Sequence, residues 1–290
     1  MSNHTGGTQM STFTSTTRSL TATPEDRALK AKHAAMWASG SYPTVVDEVV
    51  HTLGGILVET IDVHAGQRVL DVAAGTGTSA IPSARRGAEV VATDLTPELL
   101  EVGRAAADAE GLALTWQTAD AEALPYSDEA FDVVLSSIGV MFAPHHELAA
   151  AELIRVCRPG GTIRVLSWTP NGFIGQLFTT MKPFAPPPPP GASPAPLWGS
   201  VEHVRDLFGD RVEEFVARQQ ALVVDRFTSG AEFRDFMKAN YGPTIAVYRF
   251  IADDAEKVAA LDAEMAALGD RFLDGGVMPW EYLIVTAKRR

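Results

Sequence analysis

The stretch Arg68-Val-Leu-Asp71-Val-Ala73-Ala-Gly75-Thr-Gly77-Thr-Ser-Ala80 decides the fold. Its first half is an apolar run of strand length. It passes directly into Gly75-x-Gly77 and then into residues suited to opening a helix. A strand, a Gly-x-Gly turn and a helix form a nucleotide-cofactor loop. The glycines permit a tight turn and let a ligand approach the backbone. Gly75-Thr-Gly77-Thr-Ser-Ala80 also fits the dinucleotide pattern with Ala last, so the loop alone leaves the cofactor open.

Outward from this loop, apolar runs recur at residues 68–73, 89–94, 114–120, 131–137 and 162–168. Helical stretches separate them. The one at 97–110 has Thr96 as N-cap, Pro97 in the first turn and Gly111 just past its end. Alternating strands and helices with continuously apolar strands predict an α/β fold, a parallel sheet covered on both faces. Upstream, residues 25–38, containing Trp37, and 44–61, interrupted at Gly54-Gly55, read as helices. Residues 171–250 break the rhythm. Pro183–Pro196 includes five consecutive prolines, Pro186–Pro190, an extended segment that is either a surface linker or a lid over a pocket. Helices near 200–209, 230–240 and 253–273 follow, and 280–287 reads as a closing strand.

Composition narrows the function. Of 290 residues 46% are hydrophobic, enough for a large buried core and against wholesale disorder. Net charge is 24 − 36 = −12, which repels nucleic acid. No apolar run reaches the roughly 18 residues of a membrane span. Residues 1–24 hold twelve Ser or Thr, resemble no secretory signal and read as a disordered tail. The single cysteine, Cys157, precludes an intrachain disulfide and suits a reducing, cytoplasmic setting.

The acidic residues discriminate between cofactors. Asp71 stands four residues before the first glycine. A dinucleotide would bring a pyrophosphate to that turn, and an Asp there would repel it. S-adenosylmethionine (SAM) brings a sulfonium and an ammonium, which an Asp attracts. Asp94 ends the second strand, where a carboxylate can accept from both ribose hydroxyls. Asp120 ends the third, where it can accept from the adenine amino group. Three carboxylates at successive strand ends line one crevice of an open α/β sheet.

The segments VLDVAAGTG, VVATDLTPELL, ADAEALPYSDEAFDVVLSS and ELIRVCRPGGTIRVLSW resemble, in order and spacing, the motifs of class I SAM-dependent methyltransferases. The resemblance is to the ubiquinone/menaquinone C-methyltransferase-like, small-molecule branch, and it covers about residues 66–170. It implies a three-layer Rossmann-like sheet of seven strands, mostly parallel with the last antiparallel, plus helical cap elements. It places the sixth strand at about 219–227. It implies cofactor contacts from Asp71, Ala73, Gly75 and Gly77, Asp94 on the ribose, Leu95 on adenine, Asp120 and Ala121 at the adenine edge, and Ser136 near the methionine part. Residues 25–290 then form one domain: cap helices 25–65, SAM-binding core 66–170, substrate-cap insertion 171–250, last helix and strand 251–290. Two positions depart from the family: Ala73 stands where Gly is usual, and Cys157 where an apolar residue is usual. Cys157 reads as a core residue. Arg158-Pro159-Gly160-Gly161 reads as a turn.

Methyl transfer needs positioning and desolvation, and a base only when the acceptor must lose a proton. His145 and His146 follow the fourth strand and are the candidate bases, although adjacent helical residues do not share a face. His33 and His51 read as structural. Candidate acceptor-pocket walls are Met36, Trp37, Tyr42, Ile138, Met141, Phe142, Trp168, Phe173, Trp198 and Tyr241. Together they suggest a small, largely apolar acceptor. No metal is expected, because no acidic ligand cluster follows the fourth strand. The alternatives are an NAD(P)-dependent oxidoreductase, against which no Tyr has a Lys four residues on, and a non-catalytic SAM-binding protein.

Overall fold

The structure, a computed structural model, describes residues 23–290. The Ser/Thr-rich tail lies outside the described residues up to position 22. Thr23 caps the first helix, Pro24–Trp37, its side-chain oxygen accepting from the Asp26 amide.

One sheet organises the described chain. Its strands are β1 Arg68–Val72, β2 Glu89–Asp94, β3 Thr115–Thr118, β4 Phe131–Ser137, β5 Cys157–Trp168, β6 Val212–Val224 and β7 Met278–Arg289. They lie in the order β3-β2-β1-β4-β5-β7-β6. The first five pair in parallel. β7 runs antiparallel between β5 and β6, as the resemblance implies. The reason for parallel pairing is legible in the side chains. Val69 to Val72, Val90 to Ala92 and Val133 to Leu135 are buried residue after residue, because helices cover both faces. β6, on the edge, carries Arg218, Gln219 and Gln220 and is largely exposed.

The strand order reverses direction between β1 and β4. Connections leave β1 to one side and β4 to the other, which opens a crevice at their carboxyl ends. This is where the glycine loop lies.

Several local expectations need correction. Gly54-Gly55 does not interrupt a helix, because both lie inside His51–Glu59. The irregularity is upstream, where Val46–Val50 winds as a π-turn. Gly54 is required by close approach, since a Cβ there would run into the carbonyl of Thr78 in the cofactor loop. Thr96 occupies the N-cap position of Pro97–Ala109 but makes no side-chain cap bond. Its amide is instead held by Asp94. Residues 158–161 stay within β5 as an irregularity against β4, with Gly160 at φ 71°. β6 begins seven residues before the expected start. Helices Phe173–Met181 and Gly242–Phe250 had no clear sequence signal. Cys157 is buried, and burial pushes its thiol up to about 12.

Gly54→Ala is expected to cost about 1–3 kcal/mol by overpacking. The check is a lower urea midpoint at unchanged m-value, whereas Gly55→Ala, which meets nothing within 4 Å, should cost nothing.

Candidate active site

A cleft of about 920 Å³, open to solvent, lies over the carboxyl ends of β1, β2 and β4. Ala73, Gly75 and Thr76 of the glycine loop form its floor. Asp94 and Leu95 come from the end of β2, Asp120 and Ala121 from the loop after β3, and Ile138 and Phe142 from the loop after β4. The first helix roofs it with Lys30, His33 and Trp37, joined by Tyr42.

Asp94 ties the floor together. One carboxylate oxygen accepts from the Gly75 amide at 2.8 Å, the other from the Thr96 amide at 2.8 Å. Burial raises its pKa, and these amides partly offset the rise. Each oxygen keeps a lone pair directed elsewhere. Gly75 adopts φ 55°, and a Cβ there would project into the cleft, meeting only the Tyr42 ring.

Asp71 lies beneath the loop, 1% exposed, and does not line the cleft. Neither of its carboxylate oxygens has a hydrogen-bond partner. Burial pushes it up to about 8, with the nearby amides of Ala80 and Ser79 giving only partial relief. Burial thus disfavours its charged form. A cation over this loop would favour its ionised form.

At the other end, Asp120 Oδ1 accepts from Lys30 Nζ at 3.1 Å and from the Glu122 amide at 2.9 Å. Lys30 Nζ also meets Glu122 at 2.5 Å. The second oxygen of Asp120 is uncommitted. Burial alone would raise Glu122, but Lys30 and His145 hold it below the usual carboxylate range. Asp26, Glu122 and His145 place ligand-type atoms within 4.8 Å of one another, a grouping the sequence did not reveal. The Lys30 ammonium already occupies Glu122, which is unfavourable to a cation there.

Two non-glycine residues of the cleft wall sit at positive φ: Ala73 at 53° and Ile138 at 66°. For β-branched Ile this is a strained conformation of the kind that clusters at functional sites. Ala73 adopts the conformation that Gly, usual in the related motif, takes without cost.

A second, smaller recess adjoins the cleft. Tyr42, Val50, Ile138 and Phe142 wall both, and Val45, Trp168, Ile174, Met237, Tyr241 and Trp280 complete it.

A family model described as a methyltransferase domain matches residues 69–161, the span from β1 through the start of β5. Demethylmenaquinone methyltransferase of Thermus thermophilus is 42% identical over 118 residues, 39% of this chain and 54% of that enzyme. The uncharacterized protein Rv1403c of Mycobacterium tuberculosis is 51% identical over 269 residues, 93% of this chain and 98% of that protein. The chain belongs to the class I SAM-dependent methyltransferases. Among solved structures, the YcgJ protein of Bacillus subtilis shares the fold, with TM-score 0.56 and 19% identity over 83% of this chain and 99% of that one. In the described residues no helix is long and apolar enough to cross a membrane.

The methyltransferase brings most expected cofactor residues to one cleft: Ala73, Gly75, Asp94, Leu95, Asp120 and Ala121. Three others lie elsewhere. Asp71 is below the loop. Gly77 backs onto the Trp116 ring. Ser136 lies under the floor, its hydroxyl donating to the Val72 carbonyl and accepting from the Val140 amide, so Ser137 lines the cleft instead. Of the expected pocket walls, Trp37, Tyr42, Ile138 and Phe142 line the cleft. Trp168 and Tyr241 line the recess. Met36, Met141, Phe173 and Trp198 line neither. Lys30 and His33 were missed. A lysine and a histidine on a polar-looking helix carry no local signal of burial.

Neither candidate base lines the cleft. His145 precedes helix His146–Val156 and bonds through Nδ1 to Glu122 at 3.0 Å. His146 is buried and bonds to His203 at 2.9 Å, with burial and His203 pushing it down to about 4. The Pro-rich segment does not line the cleft either. Ser193 N–H donates to the Pro144 carbonyl at 2.9 Å, which fastens the segment to the cleft rim.

A neutral buried His146 stabilises the fold above its unfolded pKa, and this contribution is lost as pH falls from about 6.5 toward 4. The loss is expected to reach at most about 3 kcal/mol at 1.36 kcal/mol per pKa unit. Urea midpoints against pH check it, and His146→Gln should flatten the profile over that range.

Proposed function

We propose that this methyltransferase transfers a methyl group from SAM to a small, largely apolar acceptor. The supporting observation is the continuity of the two cavities: an apolar recess shares walls with a carboxylate-lined cleft. SAM supplies a methyl group activated on a sulfonium; the acceptor's lone pair forms the new bond to that carbon while the carbon–sulfur bond breaks and sulfur keeps the electron pair.

The residues fit a cationic nucleoside. Asp94 holds the ribose hydroxyls with the lone pairs left free by Gly75 and Thr96. Leu95 packs on adenine. The uncommitted oxygen of Asp120 takes the adenine amino group, with Ala121 at the ring edge. The glycine loop offers backbone to the methionine part above Asp71. Trp37, Tyr42 and Phe142 exclude water from the transfer, which strengthens electrostatic attraction within the site. Their rings meet edge to face, Trp37 to Tyr42 at 5.2 Å and Trp37 to Phe142 at 4.7 Å. No protein base is assigned. The acceptor then reacts through an atom that is already nucleophilic or that gives its proton to solvent.

Asp94→Ala should weaken binding of S-adenosylhomocysteine (SAH) by about 1–3 kcal/mol, the value of charge-assisted hydrogen bonds left unmade. Calorimetry showing unchanged affinity would remove Asp94 from the ribose. Acceptors are sought by incubating the enzyme with isotopically labelled SAM and a metabolite pool, then detecting labelled product by mass spectrometry. On the acceptor so found, the His145→Ala, His146→Ala double variant should keep its turnover. Lost turnover at unchanged SAH affinity would return a base role to one of them.

A further inference from the structure

The sheet carries a buried positive charge that nothing in the chain answers. Arg164 stands in β5 between Ile163 and Val165 and is 5% exposed. Its Nε is buried without a hydrogen-bond partner, and no described residue forms an ion pair with its guanidinium. Cross-strand register places Arg164 in one row with Asp71, Leu135, Thr286 and Val216. Residues in one row share a face of the sheet, as do residues two apart on a strand, so Arg218 of β6 stands on this face as well. Asp71 is the acid of the row, but Leu135 separates it from Arg164 and its oxygens are also without a partner.

The neighbouring charge that acts on Arg164 is a second cation. Burial and then Arg218 push its pKa down to about 10, which leaves it charged at neutral pH. The face runs out to solvent at the β6 edge, where Arg218 is exposed and Val216 is 48% exposed. Neither arginine lines the cleft or the recess. A buried guanidinium without a counter-charge is costly, and an apolar residue in its place is often neutral or stabilising. Two guanidiniums that repel each other lose that cost when an anion joins them. Each offers a planar fork of donors that matches phosphate or carboxylate oxygens in pairs. The charge decides between the two anions. A phosphate monoester carries close to two negative charges above its second pKa of about 6, whereas a carboxylate carries one.

We propose that Arg164 and Arg218 form an anion site on the sheet face beside the β6 edge, and that it takes a dianionic phosphoryl group. Arg164 fixes the group from the buried side and Arg218 closes on it from the solvent side. Val216, exposed beside them, offers apolar surface to whatever carries the phosphoryl group. The site stands apart from the donor cleft and does not depend on what fills that cleft.

Calorimetric titration with inorganic phosphate at pH 8 and low salt tests this, run on the SAH-loaded protein so that the cleft is occupied. Phosphate should bind at a single site, and acetate at matched ionic strength about tenfold more weakly. Arg164→Leu and Arg218→Leu should each weaken phosphate binding about tenfold or more, the loss expected when charge-assisted hydrogen bonds are removed, while SAH affinity stays unchanged. In phosphate-free buffer the urea midpoint of Arg164→Leu should equal or exceed that of the wild type. Added phosphate should then raise the wild-type midpoint more than that of the variant. If Arg164→Leu does not fold, Arg218→Leu, altered at an exposed position, carries the binding comparison. Vesicles of phosphatidylcholine with one tenth phosphatidic acid distinguish the source: cosedimentation lost in Arg218→Leu assigns the phosphoryl group to a lipid headgroup, and its absence in the wild type assigns it to a soluble ester. No phosphate binding, equal affinity in wild type and variants, acetate as tight as phosphate, or a lowered midpoint of Arg164→Leu without phosphate would overturn the proposal. Failure to bind SAH would remove the donor-site reading alone, and the same titration on the unloaded protein would still decide this one.

Discussion

A buried carboxylate must find donors or give up its charge. Asp94 finds two, the amides of Gly75 and Thr96, and in doing so fixes the glycine loop to the second strand. The Gly75 amide can turn toward Asp94 because its residue accepts a positive φ. The Thr96 amide belongs to the N-terminus of a helix, whose unpaired N–H groups favour an anion. One side chain thus sets the floor of the cleft and the direction in which the remaining lone pairs point. Asp71 shows the opposite case. It is as deeply buried, its oxygens meet no hydrogen-bond partner, and burial pushes its pKa up to about 8. The contrast separates a carboxylate bonded to the loop from one that lies beneath it without a hydrogen-bond partner.

Function in this fold carries a structural cost around that floor. Ala73 and Ile138 hold left-handed backbone, where an L side chain costs on the order of 1–2 kcal/mol. Gly139 follows Ile138, and a Cβ on it would collide with the Ala73 carbonyl. The first helix contributes little apolar surface of its own. It is fastened by the Lys30 ammonium to two carboxylates at one end and by Trp37 in an aromatic cluster at the other. Roof and floor therefore depend on polar contacts that also form the walls of the cleft.

The inner parallel strands were legible because each is buried on both faces, so apolar runs such as residues 89–94 and 131–137 mark their own ends. The glycine loop and Asp94 were legible because the loop chemistry depends on local spacing. What escaped the sequence is long-range. Lys30 meets Asp120 across ninety positions, and a lysine in a polar helix looks like any solvated lysine. Gly54 looks like a helix breaker until the helix is seen pressed on the Thr78 carbonyl. His145 and His146 follow the fourth strand at a plausible distance, but Glu122 and His203 claim their rings. β6 was placed late because an exposed edge strand rich in Glu, Arg and Gln lacks the apolar signature.

The central claim is that the cleft over Gly75, Asp94 and Asp120 receives the adenosyl group of the methyl donor. The most direct measurement is a crystal structure of the protein grown with SAH. The account requires density for the ribose on Asp94 and for the adenine between Leu95 and Asp120. An empty cleft in saturated crystals, or SAH bound on another face of the sheet, would contradict it.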